Sequence, residues 1–145
     1  MHLTFGKALQ ISFNKMNKII STHDRVFMSL VGPSGSGKSR FLFSLLLRQT
    51  FQPAFDKIFY FYKHYQKLYE DMKKKLSDIE FIGCIDFEMI YSLPNDGKRI
   101  LLVFDDSCEE LSRSTEFTDL ATAGRHKNLN CVYIKHNLFH KSPKG

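Results

Sequence analysis

The run Gly32-Pro33-Ser34-Gly35-Ser36-Gly37-Lys38-Ser39 has the residue types and the spacing of a loop that cradles a triphosphate. Glycines there let backbone N–H groups converge on phosphate oxygens, and a helix starting near Lys38 adds the positive end of its dipole. Lys38 then meets the β and γ phosphates, and the Ser39 hydroxyl ligates Mg²⁺. The pattern GxxxxGKS arises by chance in under roughly 1% of chains of this length, which argues against a Gly-Ser turn that merely precedes a lysine.

A second set of candidates lies downstream. Asp105 follows the apolar run Arg99 to Phe104 (RILLVF), at the carboxyl edge where parallel sheets place ligands, and can hold Mg²⁺, usually through water. Asp106 offers a carboxylate to orient or deprotonate an attacking water, or is simply an acidic turn or helix cap. Arg125 falls between a predicted helix and the last predicted strand, where it serves equally as an arginine finger, in cis or toward a neighbouring subunit, or as a surface arginine. His136 and Asn137 end that strand, where a polar side chain can bridge the γ phosphate and the attacking water; a surface loop pair is the other reading. His2, His23, His64 and His140 have no spacing that points to a metal. Guanine chemistry is argued down by absences: Asp105 is followed by Asp106, Ser107 and Cys108 where DxxG needs glycine, and Asn17-Lys18 is followed by Ile19-Ile20 where NKxD needs aspartate. ATP is the better base.

The elements that must position these residues alternate. Arg25 to Val31 reads as a strand running into the loop, and Lys38 to Thr50 as a buried helix. Lys57 to Tyr62 (KIFYFY) reads as a second strand. Tyr65, Leu68, Tyr69, Met72 and Leu76 recur at three- and four-residue steps, which predicts an amphipathic helix carrying Lys73, Lys74 and Lys75 outward. Glu80 to Ile85 is a short strand, Asp86 to Leu93 a short helix closed by the Pro94 to Gly97 turn, and Arg99 to Phe104 a strand covered on both faces. Ser107 and Glu110 are spaced as a capping box for a helix toward Ala123, and Asn130 to Lys135 is the last strand. The fold class is α/β, a mainly parallel β-sheet flanked by helices.

Composition agrees. A chain of 145 residues, 43% hydrophobic, can bury one core of ordinary size, and it is too short to be expected to build two. No stretch approaches the roughly 20 apolar residues that span a bilayer, and the first residues lack the apolar core of a signal peptide; the expectation is a soluble, intracellular protein with no membrane partner. Cys84, Cys108 and Cys131 are far apart and form no CxxC pair, so they are expected to be small core residues. A net charge of +6 permits a polyanionic partner, although the lysine run also reads as a solvated helix face.

Taken together, GPSGSGKS, the aromatic segment IFYFYKHYQKLYEDM, ILLVFDDS and the run AGRHKNLNCVYIKHNLFHK resemble the DNA-packaging ATPases of Polinton/Maverick transposable elements, virophages and large DNA viruses, within the FtsK/HerA superfamily of P-loop NTPases. The similarity extends from Arg25 to Lys141 and is most specific in GRHKNLNCVYIKHNLFH. It implies a hydrolase that uses ATP and Mg²⁺, assembles as a homo-oligomeric ring and moves double-stranded DNA into a capsid, with capsid or terminase-like partners and a place in the virion or nucleus. By motif matching the resemblance makes Lys38 and Ser39 the Walker A pair, Asp105 and Asp106 the Walker B metal and catalytic acids, and His136 the sensor. The family carries Gln at that last position, preceded by Thr, in a TQNLF-like run; here Lys135-His136-Asn137-Leu138-Phe139 stands instead, a departure that bears on hydrolysis more than on binding. Family members also run on past NLFH with further strands, so the resemblance implies a single P-loop ATPase domain over 1–145, truncated at its C-terminus. Two other readings of the same loop are a small-molecule kinase and a nucleotide-binding remnant without turnover.

Overall fold

The computed structural model describes residues 2–5, 19–105, 115, 119–120 and 128–136. Within them the chain forms β1 (His2–Phe5), β2 (Ile20–Ser21), β3 (Phe27–Val31), α1 (Lys38–Leu47), β4 (Phe51–Gln52), β5 (Lys57–Tyr62), α2 (Leu68–Lys75), β6 (Ile79–Ile82), α3 (Phe87–Tyr91), β7 (Ile100–Asp105) and β8 (Leu129–Lys135). The main sheet has the order β1-β3-β8-β7-β5-β6. Every pair from β3 to β6 is parallel, and β1 runs antiparallel to β3. β2 and β4 form a separate parallel pair. This is the expected α/β architecture, a mostly parallel sheet flanked by helices.

Strand periodicity divides the core in two. Met28, Leu30, Tyr60, Leu101, Val103, Val132 and Ile134 face α1 and α2, where Leu42, Leu45, Tyr69 and Met72 cover them. Phe59, Phe61, Leu102, Phe104, Cys131 and Tyr133 face the other way, against Ile90 of α3 and the helical Leu120. All six residues of β7 are buried, in keeping with its apolar run from Ile100 to Phe104. The same alternation of two puts Asp105, two residues after Val103, and His136, two after Ile134, in line with the face that carries α1.

Register is pinned at the opposite end of the strands. Buried Asn130 accepts from the Val26 N–H at 2.8 Å and donates to the carbonyls of Ile100 at 3.1 Å and Asn128 at 3.0 Å. Arg25 adds bonds to the carbonyls of Leu129 at 2.6 Å and Leu120 at 2.8 Å. One side chain thus ties the starts of β3, β7 and β8, so their carboxyl ends emerge in a fixed relation, with Asp105 paired to Ile134 and Lys135 paired to Val31.

The structure departs from the expected elements in several places. The helix predicted from Tyr65 starts at Leu68, because Tyr65 turns back to donate its hydroxyl to Glu70 and pack edge-on against Tyr69. The strand predicted to reach Ile85 ends at Ile82, whose pairing with Phe61 is the last between β6 and β5. In the bend that follows, Cys84 is exposed and not a core residue, whereas Cys131 is buried and its thiol is pushed up to about 12 by desolvation. The edge strand β1 was not expected at all. Cys108, Ser107 and Glu110 lie outside the described residues.

Candidate functional site

Leaving β3, the chain enters the glycine loop with the Gly32 N–H bonded to the Lys135 carbonyl at 3.2 Å, which anchors the loop to the end of β8. The Ser36 N–H closes the turn on the Pro33 carbonyl at 3.1 Å. A Cβ at position 32 would lie 2.8 Å from Ser36 Oγ, so a larger residue there would make the Ser36 hydroxyl move. Gly37 has φ of +86°, a left-handed conformation that costs glycine nothing and turns the backbone into α1. No side chain caps α1 and no acidic residue sits in its first turn, so an anion placed there meets the helix's N-terminal N–H groups and its dipole.

Lys38 is 5% exposed. A cation so far out of water needs partners, and Lys38 Nζ donates to the carbonyls of Gly32 at 2.6 Å and Pro33 at 2.8 Å and lies 3.3 Å from His136 Nδ1. The two carbonyls are neutral acceptors inside the loop itself, which charged phosphate oxygens would outcompete.

Across from the loop, Asp105 is 3% exposed, and one of its oxygens is the focus of three hydroxyls. Oδ2 accepts from Ser39 Oγ at 3.0 Å, from Tyr60 at 2.6 Å and from Tyr69 at 2.8 Å. Burial and the adjacent Asp105 charge push both phenols well above their ordinary range, so both remain protonated donors. Ser39 and Asp105 are hard oxygen donors side by side, the ligand chemistry of Mg²⁺, which keeps several waters and takes only one or two protein ligands alongside substrate phosphates. Among the described residues no group of three or more His, Cys, Asp or Glu side chains is placed to form an all-protein metal cage.

The structure therefore brings together Gly32 to Ser39, Asp105 and His136 at the carboxyl edge of the sheet, because β8 lies between β3 and β7. Asp106, Arg125 and Asn137 lie outside the described residues. Lys73, Lys74 and Lys75 are exposed in the last turn of α2. Tyr60 and Tyr69 are the site residues that the sequence reading missed: it placed them in a strand and in an apolar helix stripe. The available signal was Tyr where Phe would fill the same space, since a buried phenol needs a partner. No helix among the described residues is long and apolar enough to cross a membrane.

A family model described as Poxvirus A32 protein matches residues 12–144. Neither the curated proteins nor the solved structures give a match.

Proposed function

Since the chain belongs to the poxvirus A32 protein family, a viral genome-packaging ATPase family, we propose that it binds ATP with Mg²⁺ in the loop Gly32 to Ser39 and hydrolyses it to move double-stranded DNA. The observation that carries this reading is the 3.0 Å contact between Ser39 and Asp105, with Lys38 buried beside them in a loop that opens an uncapped helix. Lys38 would trade the carbonyls of Gly32 and Pro33 for β and γ phosphate oxygens, while the loop amides hold the same phosphates. When bound at Ser39 and Asp105, Mg²⁺ supplies charge compensation for the triphosphate. Asp106 would orient and deprotonate the attacking water, His136 would stand at the γ phosphate where packaging ATPases carry Gln, and Arg125 would serve as an arginine finger within a homo-oligomeric ring. Affinity to the FtsK/HerA packaging ATPases of Polinton/Maverick elements and virophages, contact with capsid or terminase-like partners, and association with the virion belong to the same proposal.

Duplex binding tests the DNA part. Lys73, Lys74 and Lys75 are exposed at the end of α2, and Lys63 and Lys67 are exposed at its approach. If about four such cations neutralise phosphates, the log–log salt slope is about −3.6 and affinity falls about 10²-fold between 50 and 200 mM salt, with little dependence on sequence. Fluorescence anisotropy of a labelled duplex checks this. A chain that binds no duplex at low salt would favour the small-molecule kinase or a nucleotide-binding remnant.

A further inference from the structure

We infer that Tyr60 and Tyr69 are positioning residues for Asp105, two phenols that hold its Oδ2 so that Oδ1 is kept for the magnesium ion and its waters. The inference rests on the reading of Asp105 as the magnesium carboxylate. Both tyrosines are 0% exposed. Tyr60 reaches the site because it shares the α1 face of the sheet with Val103, its partner across β5 and β7, and Tyr69 reaches it from the first turn of α2. Neither ring is placed by its hydroxyl alone. Tyr60 and Tyr69 pack at 4.9 Å between centroids, and Phe81 of β6 closes the cluster at 4.9 Å from Tyr60 and 4.8 Å from Tyr69. Phenylalanine would satisfy that packing equally well, so the hydroxyls have a separate task, and each is spent on the same carboxylate oxygen.

The task follows from the freedom of an aspartate. Its terminal torsion is broad and roughly two-fold, so a carboxylate held at one point can swing its second oxygen away from a metal. The 2.6 Å bond from Tyr60 is of charge-assisted length, the 2.8 Å bond from Tyr69 is of ordinary O–H···O length, and the two arrive from different elements, β5 and α2. Together with Ser39 Oγ they fix Oδ2, and among the described residues all three hydroxyls donate to Oδ2 and none to Oδ1. Outer partners that orient a metal ligand in this way are worth roughly 10- to 100-fold in metal affinity or activity.

The test uses Tyr60→Phe, Tyr69→Phe and the double variant in the full chain, with Asp105→Asn alongside. Binding of a non-hydrolysable ATP analogue is followed by calorimetry in EDTA and across a Mg²⁺ titration. Each single variant should keep its affinity in EDTA within about two-fold while the Mg²⁺ concentration for half-maximal enhancement rises roughly 10-fold, and the double variant should approach Asp105→Asn. Equal loss with and without Mg²⁺ would mean that the tyrosines only support the fold, and would overturn the inference. An unchanged Mg²⁺ requirement in all three tyrosine variants, with a shifted one in Asp105→Asn, would overturn it and leave the magnesium reading standing. If Asp105→Asn itself shifts nothing, the magnesium reading fails and the inference with it.

Discussion

Lys38→Ala is expected to weaken ATP binding by roughly 10²- to 10⁴-fold. A hydrogen bond to a charged group contributes about 1.5–3 kcal/mol, and the ammonium would meet two phosphates, so its removal costs twice that in affinity. The folded chain should tolerate the change. Lys38 Nζ donates to the loop carbonyls of Gly32 and Pro33 at 2.6 and 2.8 Å; Pro33 is exposed and Gly32 half-buried, so water can replace the donor there. The substitution also relieves the cost of keeping a cation at 5% exposure. Calorimetric titration of Mg·ATP into the variant checks the expectation, and an affinity equal to that of the parent chain would contradict the placement of the nucleotide in this loop.

Asp106→Asn and Asp105→Asn are expected to fail in different ways. A general base contributes about 10²- to 10⁴-fold, so Asp106→Asn should lower turnover by that order while Mg·ATP affinity is retained. A metal ligand acts already in the ground state, so Asp105→Asn should weaken the Mg²⁺ dependence of binding itself. The second variant is structurally mild: its amide oxygen can still accept from Ser39, Tyr60 and Tyr69, but nitrogen replaces the oxygen that would face the metal. Single-turnover rates measured beside equilibrium binding separate the two. Equal loss of nucleotide binding in both variants would contradict the division of roles.

What was legible in the sequence was local. GPSGSGKS specifies its own turn through glycine at Gly35 and Gly37, whose φ of 77° and 86° favours that residue, within a single short loop. KIFYFY and ILLVFD each declare a buried strand by composition, and β5 and β7 have the expected extent within one residue. The placement of Asp105 was legible for the same reason, since a strand of period two that ends in an acid at a sheet edge leaves few alternatives. What escaped was partnership. Tyr69 fits the three- and four-residue steps of an apolar stripe, and that pattern scores its ring and ignores its hydroxyl, whose acceptor is 36 residues away. Tyr60 sits in a run so aromatic that no single ring stands out, and its acceptor lies 45 residues on. The insertion of β8 between β3 and β7, which brings His136 to Lys38 across 98 residues, depends on strand order, and no local period encodes that. β1 escaped because four residues, HLTF, are too few to establish an alternation.

The measurement that tests the central claim most directly is ATP hydrolysis by the purified chain, followed as phosphate release in Mg²⁺ with and without double-stranded DNA. An ATP-driven packaging enzyme should release phosphate to water, depend on Mg²⁺, and turn over faster when duplex is added at low salt. Turnover indifferent to duplex, with the γ phosphate recovered on a small-molecule acceptor, would contradict it.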